Sequence, residues 1–236
     1  MGLLGTSTKV EKGVGKGVLT AVMYLSPADE SGRNVCPHAT PGCKAACLGH
    51  SSGRMAMPMH KQVRKRKTDW FFDDRPAFLV ALMVDIERHK RKADKAGMVC
   101  AVRLNGTSDI PWETVAPGIF ERFPTIQFYD YTKHASRAVA WAQGRMPPNY
   151  HLTFSWAETA RNQAEAVAVM AAGGNVAVVF SAPPYPDVWR GLPVVDGDED
   201  DIRFRDPKGC IVGLKAKGAA KRDTSGFVVQ LTKIER

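Results

Sequence analysis

The stretch Cys36-Pro-His-Ala-Thr-Pro-Gly-Cys-Lys-Ala-Ala-Cys47 holds three of the protein's five cysteines, at C-x6-C-x3-C spacing. Deprotonated thiols are soft ligands that suit an iron–sulfur cluster or zinc. Two prolines and a glycine keep the first half of the stretch out of regular helix, so that the chain can fold its thiols around one centre. The spacing therefore predicts a metal site formed by Cys36, Cys43 and Cys47.

The grouping of these cysteines favours a [4Fe-4S] cluster, in which three irons are bound by the protein. A structural zinc site usually takes two close pairs of ligands, so zinc is the alternative cofactor, and free or disulfide-bonded thiols are the least favoured interpretation. The fourth ligand is predicted to be an exogenous molecule or one of three side chains: Cys210, His38 or His50. Cys100 lies in a short apolar run and is interpreted as a buried core residue.

Hydrophobic patterning around this stretch predicts an α/β fold. Residues 18–25 form the first predicted strand, so the metal loop follows its carboxyl end. Further strands are predicted at 99–104, 125–129, 151–154 and 175–180, and they alternate with helices. This alternation implies βαβ units and a parallel sheet, so we expect a partial or distorted (β/α) barrel with mostly parallel strands.

The length of 236 residues is sufficient for one α/β domain with a substantial core, and no internal linker is evident. We therefore predict a single domain over residues 1–236. Residues 1–17 are predicted to be an N-terminal extension. Residues 183–236, with short strands predicted near 211–214 and 227–231, are predicted to be a β-rich completion of the sheet. The acidic run Asp196 to Asp201 is interpreted as a solvated turn.

The composition indicates a soluble protein of a reducing compartment. No apolar run approaches the length of a membrane span, and the first residues lack the layout of a secretory signal. An odd number of cysteines without such a signal favours metal binding over disulfide pairing. We expect a cytoplasmic protein with no membrane partner.

The net charge of +9 raises the expectation of a polyanionic partner such as nucleic acid. Residues 54–67 carry six cations and no acid. This basic segment is either a solvated helix face or a nucleic-acid interface, and the sequence leaves both readings open. The six cations are Arg54, Lys61, Arg64, Lys65, Arg66 and Lys67.

Polar residues follow the predicted strands at their carboxyl ends, where the functional groups of parallel α/β barrels gather. The carboxylates among them, Asp109, Asp130 and Glu158, have the chemistry of catalytic acids or bases, and the cations Arg103 and Lys133 have that of groups that hold an anion such as a carboxylate or phosphate. Together they predict an active or ligand-binding face for a small molecule. The alternative for each aspartate, glutamate or serine is that it merely caps the following helix. The predicted catalytic residues are Asp109, Asp130, Lys133 and Glu158, and the predicted cofactor-binding residues are Arg103, Asn105 and Ser155.

Several longer motifs resemble those of the bacteriophage "gene product 88" type of protein. They include Arg-Leu-Asn-Gly-Thr-Ser-Asp at 103–109, Phe-Tyr-Asp-Tyr-Thr-Lys at 128–133 and Gly-Leu-Lys-Ala-Lys-Gly at 213–218. The resemblance extends from about Leu25 to Phe227. It implies a phage origin, and hence the cytoplasm of a bacterial host, rather than a particular activity.

The chain is also similar in architecture to radical S-adenosylmethionine enzymes, which place three cysteines after the first strand of a partial barrel. Their usual C-x3-C-x2-C spacing differs from the spacing found here. We therefore predict a phage iron–sulfur protein, with a radical-SAM-like enzyme that binds S-adenosylmethionine as its more specific form. The alternatives are a metal-stabilised protein that binds nucleic acid through residues 54–67, and a structural zinc protein that binds a host partner.

Overall fold

The computed structural model describes residues 2–51 and 53–231. The strands are β1 Leu4–Gly5, β2 Val18–Met23, β3 Val99–Arg103, β4 Gln127–Thr132, β5 Tyr150–Ser155, β6 Asn175–Phe180, β7 Val188–Trp189, β8 Leu192–Asp196 and β9 Ile211–Lys215. The α-helices are α1 Thr8–Glu11, α2 Pro41–Ala45, α3 Leu48–Ser51, α4 Pro58–Asp73, α5 Arg75–Lys95, α6 Trp112–Val115, α7 Gly118–Arg122, α8 Ala135–Ala142 and α9 Ala160–Ala171. Four 3-10 helices span Lys12–Lys16, Gly53–Ala56, Arg203–Arg205 and Gly218–Arg222. None of the helices in the described residues has both the length and the apolar composition needed to cross a bilayer.

The strands form one nine-stranded sheet in the order β1-β2-β3-β4-β5-β6-β9-β8-β7. Every pair from β2 to β8 along this order is parallel, and only β1 and β7 pair antiparallel, one at each edge. The prediction of an α/β protein with mostly parallel strands is thus confirmed. In residues 2–51 and 53–231 the two edge strands do not pair, so the sheet is open and a closed barrel is not formed.

The predicted strands and helices up to residue 180 are present with shifts of a few residues at their ends. The C-terminal part differs more. The segment predicted as a strand at 227–231 makes a single bridge, from Val229 to Phe180. The hairpin formed by β7 and β8 was not predicted, because its strands are short and Pro193 interrupts the apolar run. Residues 232–236 of the predicted C-terminal segment lie outside the described residues.

One face of the sheet is covered by helices, and the core lies between them. Alternate residues of each strand point to this face, and the helices present apolar stripes to it. Helix α5 contributes three fully buried residues four apart, Phe78, Leu82 and Ile86. Helix α9 contributes Ala166 and Val169 to a second cluster over β6 and β9. Cys100 belongs to the first cluster, which confirms its interpretation as a core residue.

The other face of the sheet is covered only near the amino ends of its strands. There Val18, Ala101, Tyr129 and Ile202 pack together, and the 3-10 helix at 203–205 contacts β4 and β5. Towards the carboxyl ends Val179 of β6 packs in one cluster with Ala46 of the cysteine loop and Ala220 of the 3-10 helix at 218–222. A cavity remains beside the cysteine loop that follows β2.

The acidic turn at 196–201 is solvated only in part, with Asp196 and Glu199 exposed. Asp201 is 1% exposed, and Lys16 pairs with Glu199 at 2.5 Å and with Asp200 at 2.6 Å. Lys12 donates to the carbonyl of Asp198 at 2.8 Å. The N-terminal segment therefore packs its lysines against the acidic turn, and a run of like charges alone gave no sign of this distant partner. In the same segment β1 extends the sheet by pairing with β2.

Candidate metal and ligand site

A cavity of about 320 Å³ lies at the carboxyl ends of the parallel strands. All three predicted metal ligands line it, although they are separated from the later strands by more than fifty residues of chain. Five of the seven other predicted site residues line it as well. These are Arg103, Asn105, Asp109, Lys133 and Ser155, whereas Asp130 and Glu158 do not line the cavity.

The cysteine loop reaches this cavity through two short helices. Thr40 caps α2, its hydroxyl accepting from the Cys43 backbone N–H at 3.2 Å, and Pro41 occupies the first helical turn where its missing N–H costs nothing. Helix α2 ends before Cys47, and α3 begins directly after it. The two breaks turn Cys43 and Cys47 towards the same cavity that Cys36 lines.

The three cysteines are partly buried. The Sγ of Cys36 accepts from the Ala28 N–H at 3.4 Å and faces the Thr107 carbonyl at 3.6 Å. Burial raises the pKa of Cys36 to about 12, and burial also raises the pKa of Cys47 against the backbone hydrogen bond from Gly49. Both thiols are therefore protonated at neutral pH unless a bound metal ion displaces the proton.

Within residues 2–51 and 53–231, no three His, Cys, Asp or Glu side chains stand in an arrangement that already suits a metal ion. The donor set itself, three thiols facing one cavity with a backbone N–H directed at a sulfur, has the chemistry of an iron–sulfur site. The metal prediction thus stays a prediction, resting on the donors and on their convergence.

The three protein candidates for a fourth ligand lie elsewhere. His38 packs on His134, with ring centroids 4.3 Å apart, and His50 Nδ1 lies 3.5 Å from Glu30 Oε1. Cys210 directly precedes β9 and packs with core residues. It therefore lies at the amino ends of the strands, whereas the cysteine loop lies at their carboxyl ends. None of the three lines the cavity. Of the predicted alternatives, an exogenous molecule is the one that fits this geometry.

Glu158, predicted to be catalytic, contacts the cysteine loop through its carboxylate. Its carboxylate accepts from the Thr40 hydroxyl at 2.7 Å and from the Gly42 N–H at 2.8 Å. A Cβ on Gly42 would lie 2.8 Å from the Glu158 carboxyl carbon, so a side chain there would displace this carboxylate. These contacts hold the first turn of α2, and the predicted catalytic role of Glu158 stays a prediction.

Asp130 is also placed away from the cavity. It is fully buried, and it accepts from the Asn105 N–H at 2.8 Å and from the Tyr150 hydroxyl at 2.9 Å. Side chains alternate along a strand, so Tyr131 lines the cavity and Asp130 points to the helix-covered face. Its geometry suits a structural role, and the predicted catalytic role gains no support.

The Asn105 side chain organises the loop after β3. Its Oδ1 accepts from the Ser108 hydroxyl at 2.8 Å, the Ile110 N–H at 3.0 Å and the Trp112 Nε1–H at 3.1 Å. With these bonds its oxygen is fully used inside the protein. Asn105 borders the cavity but shapes its wall rather than offering this oxygen to a ligand.

Asp130 is expected to impose a pH dependence on stability. Burial raises its pKa to about 7, although Arg103, the Asn105 N–H, the Tyr150 hydroxyl and Arg137 act in the opposite direction, whereas the ordinary value is 3.8. The folded protein keeps this proton where the unfolded chain has released it. Its contribution to stability is therefore complete below about pH 4 and is lost as the pH rises to about 7.

Urea denaturation across this range checks the effect of Asp130. The free energy of unfolding should fall with rising pH, and Asp130→Asn, which cannot ionise, should reduce the fall by roughly 2–4 kcal/mol. The exposed Asp94 pairs with Lys90 at 2.6 Å, and Asp94→Asn is the control that should leave the slope unchanged. Parallel curves for wild type and Asp130→Asn would show that Asp130 is already ionised in the folded protein.

Asp109 lines the cavity, but its charge is neutralised by Arg137, which does not line the cavity. One oxygen accepts from the Lys133 backbone N–H at 2.8 Å, and the other pairs with Arg137 at 2.9 Å. Arg137 also forms a bidentate pair with Glu113, at 2.6 and 2.8 Å. Arg137 was missed by sequence reasoning, and the available signal was one cation in the otherwise apolar helix Ala-Ser-Arg-Ala-Val-Ala-Trp-Ala.

The cavity is bounded on its sheet side by a buried charge network. Arg103 pairs with Asp201 at 2.7 Å, and its guanidinium lies 5.0 Å from the centre of the Tyr131 ring. Lys9 reaches the other oxygen of Asp201 at 3.1 Å. Burial alone would raise the pKa of Asp201, but Arg103 and Lys9 outweigh it and hold the pKa below its usual value. Lys9, Tyr131 and Asp201 were not predicted as site residues, since no local motif links them.

The basic segment at 54–67 is partly internal. Arg64 is 3% exposed and donates to the carbonyls of Gly49 and Met55 at 2.9 and 3.0 Å, and Lys67 donates to the carbonyl of Leu3 at 2.8 Å. Arg64 thus fixes the turn that follows Cys47. The predicted nucleic-acid interface stays a prediction, and the cations left at the surface to carry it are Arg54, Lys61, Lys65 and Arg66.

Gly106 is expected to be sensitive to substitution because it lies against the end of β2. A Cβ there would be 2.6 Å from the Met23 carbonyl oxygen, which belongs to the backbone and cannot rotate away. Gly106→Ala should lower the free energy of unfolding by about 1–3 kcal/mol. Gly118→Ala, where a Cβ meets nothing within 4 Å, is the matched control and should be neutral or slightly stabilising. Equal effects of the two substitutions in thermal unfolding would contradict this close contact.

Comparison with known proteins identifies one family. Residues 3–231 match the family model described as Gene product 88. No curated protein and no solved structure matches the chain. The match confirms the predicted relation to the phage gene-product family over nearly the whole chain, whereas the similarity to radical S-adenosylmethionine enzymes stays a prediction.

Proposed function

This chain belongs to the Gene product 88 family, and we propose that it is an iron–sulfur protein whose Cys36, Cys43 and Cys47 hold a [4Fe-4S] cluster beside a ligand-binding cavity. The observation that carries the proposal is the convergence of these three thiols on one cavity, together with polar strand-end residues. Neither packing in a core nor disulfide pairing explains why three thiols line one cavity, and all five cysteines are free thiols.

The proposed cluster would have one iron that no cysteine of the triad binds. A cubane cluster held by three thiolates leaves one iron for a ligand from outside the triad. Cys210, His38 and His50 do not line the cavity, whereas Arg103, Lys133 and Ser155 line it. The open side of the site therefore faces a space of about 320 Å³, within the range of small-molecule sites.

Several residues would keep the site in shape. Glu158 ties down the first turn of α2, and Arg64 fixes the turn after Cys47. Asp130 and Asn105 fix the loop that forms the opposite wall. These contacts are made in the folded chain itself, so the loop is held ready for a cluster at a low cost in ordering.

A partial barrel is the finer description of the fold that we propose. Arg103 on β3 and Leu214 on β9 line the same cavity, although three strands lie between them. In a flat sheet, four strand spacings would separate them by roughly 19 Å. Their shared cavity supports a sheet that curves around the site, with a (β/α)-barrel-like concave face.

The more specific form of the proposal is a radical-SAM-like enzyme that uses S-adenosylmethionine. It is supported by the cysteine loop after the first parallel strand and by the polar strand-end residues that line the same cavity. It predicts that adenosylmethionine perturbs the spectrum of the reduced cluster. An unchanged spectrum would restrict the function to a cluster that binds another ligand.

The residues that hold the cluster are tested by anaerobic reconstitution with iron and sulfide. Cys36→Ala, Cys43→Ala and Cys47→Ala should each bind little iron, because a cubane needs all three thiolates. Cys100→Ala and Cys210→Ala remove buried thiols away from the cavity and should bind as much iron as wild type. Iron binding that is equally retained, or equally lost, in all five variants would refute the assignment.

A further inference from the structure

Lys133 has an unusual environment for an ammonium group. Its side chain lines the cavity and the residue is 8% exposed. Its Nζ has one long contact, 3.5 Å to the Ser155 carbonyl, and lies 5.5 Å from the centre of the Phe227 ring. Among the described residues no carboxylate pairs with it, since the nearby Asp109 is paired with Arg137. An ammonium with three donors is thus buried with its charge unmatched.

Such a group is costly unless a partner arrives. Burying an ammonium ion without a counter-charge is strongly unfavourable, so buried lysines in folded proteins are normally paired. Lys133 gains little from a carbonyl at 3.5 Å, which lies at the outer limit of a hydrogen bond. An anionic group that enters the cavity can supply the missing counter-charge.

Two residues that line the cavity also carry a buried donor without a partner. The Arg103 Nε and the Tyr131 hydroxyl are buried, and neither has a hydrogen-bond partner within residues 2–51 and 53–231. Both residues line the cavity that Lys133 lines. The charged residues on the wall are Lys9, Arg103 and Lys133 against Asp109 and Asp201, and Asp109 is already neutralised from outside by Arg137.

We propose that the cavity binds the oxyanion group of a small ligand, a carboxylate or a phosphate, between the Lys133 ammonium and the Arg103–Tyr131 wall. The inference deepens the proposed function, because it names the ligand class of the same cavity, but the anion site itself needs no metal. Cationic and hydroxyl donors on residues that line one cavity match the several lone pairs of an oxyanion.

The test separates this site from the metal centre. Inorganic phosphate and succinate are titrated calorimetrically at low ionic strength into metal-free wild type and into full-length Cys43→Ala. Saturable one-site binding of either anion is expected in both proteins. Preference for phosphate identifies a phosphate-bearing ligand, and preference for succinate identifies a carboxylate-bearing one.

Two variants connect the binding to the named residues. Lys133→Met keeps the buried apolar stem and should weaken anion binding at least about tenfold, the usual effect of losing a charged hydrogen-bond partner. Tyr131→Phe removes only the unpartnered hydroxyl, so it should fold as well as wild type while binding the anion several-fold more weakly. Lys44→Met, which breaks a surface pair with Asp29 at 2.9 Å, is the control and should bind like wild type.

The outcomes distinguish the two proposals. Absence of saturable binding by either anion, or unchanged affinity in both Lys133→Met and Tyr131→Phe, would overturn the oxyanion site even if the protein holds a cluster. If Lys133→Met lost metal but still bound the anion, Lys133 would stabilise the thiolate ligands of the metal. That result would overturn its role in the oxyanion site. Anion binding in a protein that never binds iron would leave this inference standing and remove the cluster.

Discussion

Replacing Arg137 by alanine is expected to lower the free energy of unfolding by about 3–5 kcal/mol, the effect of removing one partner from a buried ion-pair network. Arg137 is 5% exposed and is the cation shared by Asp109 and Glu113. Without it, two carboxylates remain in a wall that excludes most solvent. Asp109 also anchors the Lys133 backbone, so the cavity should lose its shape together with its stability.

Urea denaturation of matched variants tests this expectation. Arg161→Ala breaks an exposed pair with Glu165 on the surface of α9 and should cost about 0.5 kcal/mol or less. Arg137→Lys keeps the charge but cannot form the bidentate pair with Glu113, so it should fall between Arg137→Ala and wild type. A loss below about 1 kcal/mol for Arg137→Ala would mean that the two carboxylates are hydrated or protonated in the folded protein.

The second large effect is expected at Glu158. Glu158→Ala leaves the Thr40 hydroxyl and the Gly42 N–H without their acceptor, and α2 loses the contact that holds it at the cavity. Groups that orient metal ligands typically change metal affinity 10–100-fold when removed. We therefore expect Glu158→Ala to retain at least about tenfold less iron after mild chelation, with the fold intact by circular dichroism.

The conservative variant decides between positioning and catalysis. Glu158→Gln keeps an oxygen that can accept from Gly42 and an amide that can donate to the Thr40 hydroxyl, so it should retain iron nearly as wild type does. Glu165→Gln on the exposed side of α9 is the control for loss of a carboxylate. If Glu158→Gln retained as little iron as Glu158→Ala, the negative charge itself would be required, and the account of Glu158 as an anchor would be wrong.

Much of this architecture could be predicted from local patterns. Strands β3 to β6 and their helices show short-range periodicity, and the cysteine triplet is visible as spacing alone. Assuming parallel strands was sufficient to bring Arg103, Asp109, Lys133 and Ser155 to one edge, because the carboxyl ends of parallel strands lie together. The structure places all four on the same cavity.

The remainder depends on side-chain direction and on distant partners. Asp130 and Tyr131 are adjacent in sequence but point to opposite faces of β4, and only a known register reveals which one faces the cavity. Lys9 and Asp201 meet although almost two hundred residues separate them, and each looked like an ordinary surface charge. Glu158 contacts a loop that lies more than a hundred residues earlier in the chain, and no capping motif predicts this contact.

The open edges of the sheet have a similar explanation. Strands β1 and β7 are two residues long each, too short for hydrophobic periodicity to show. Both edge strands pair antiparallel, and the sheet ends there within the described residues. The alternation that predicted parallel βαβ units could not indicate where the series stops.

The most direct test of the central claim is the iron, acid-labile sulfide and zinc content of protein purified without oxygen. We predict about four irons and four sulfides per chain in wild type, and neither in Cys43→Ala. One zinc per chain and no sulfide would contradict the iron–sulfur account and would favour a structural zinc site at the same three cysteines.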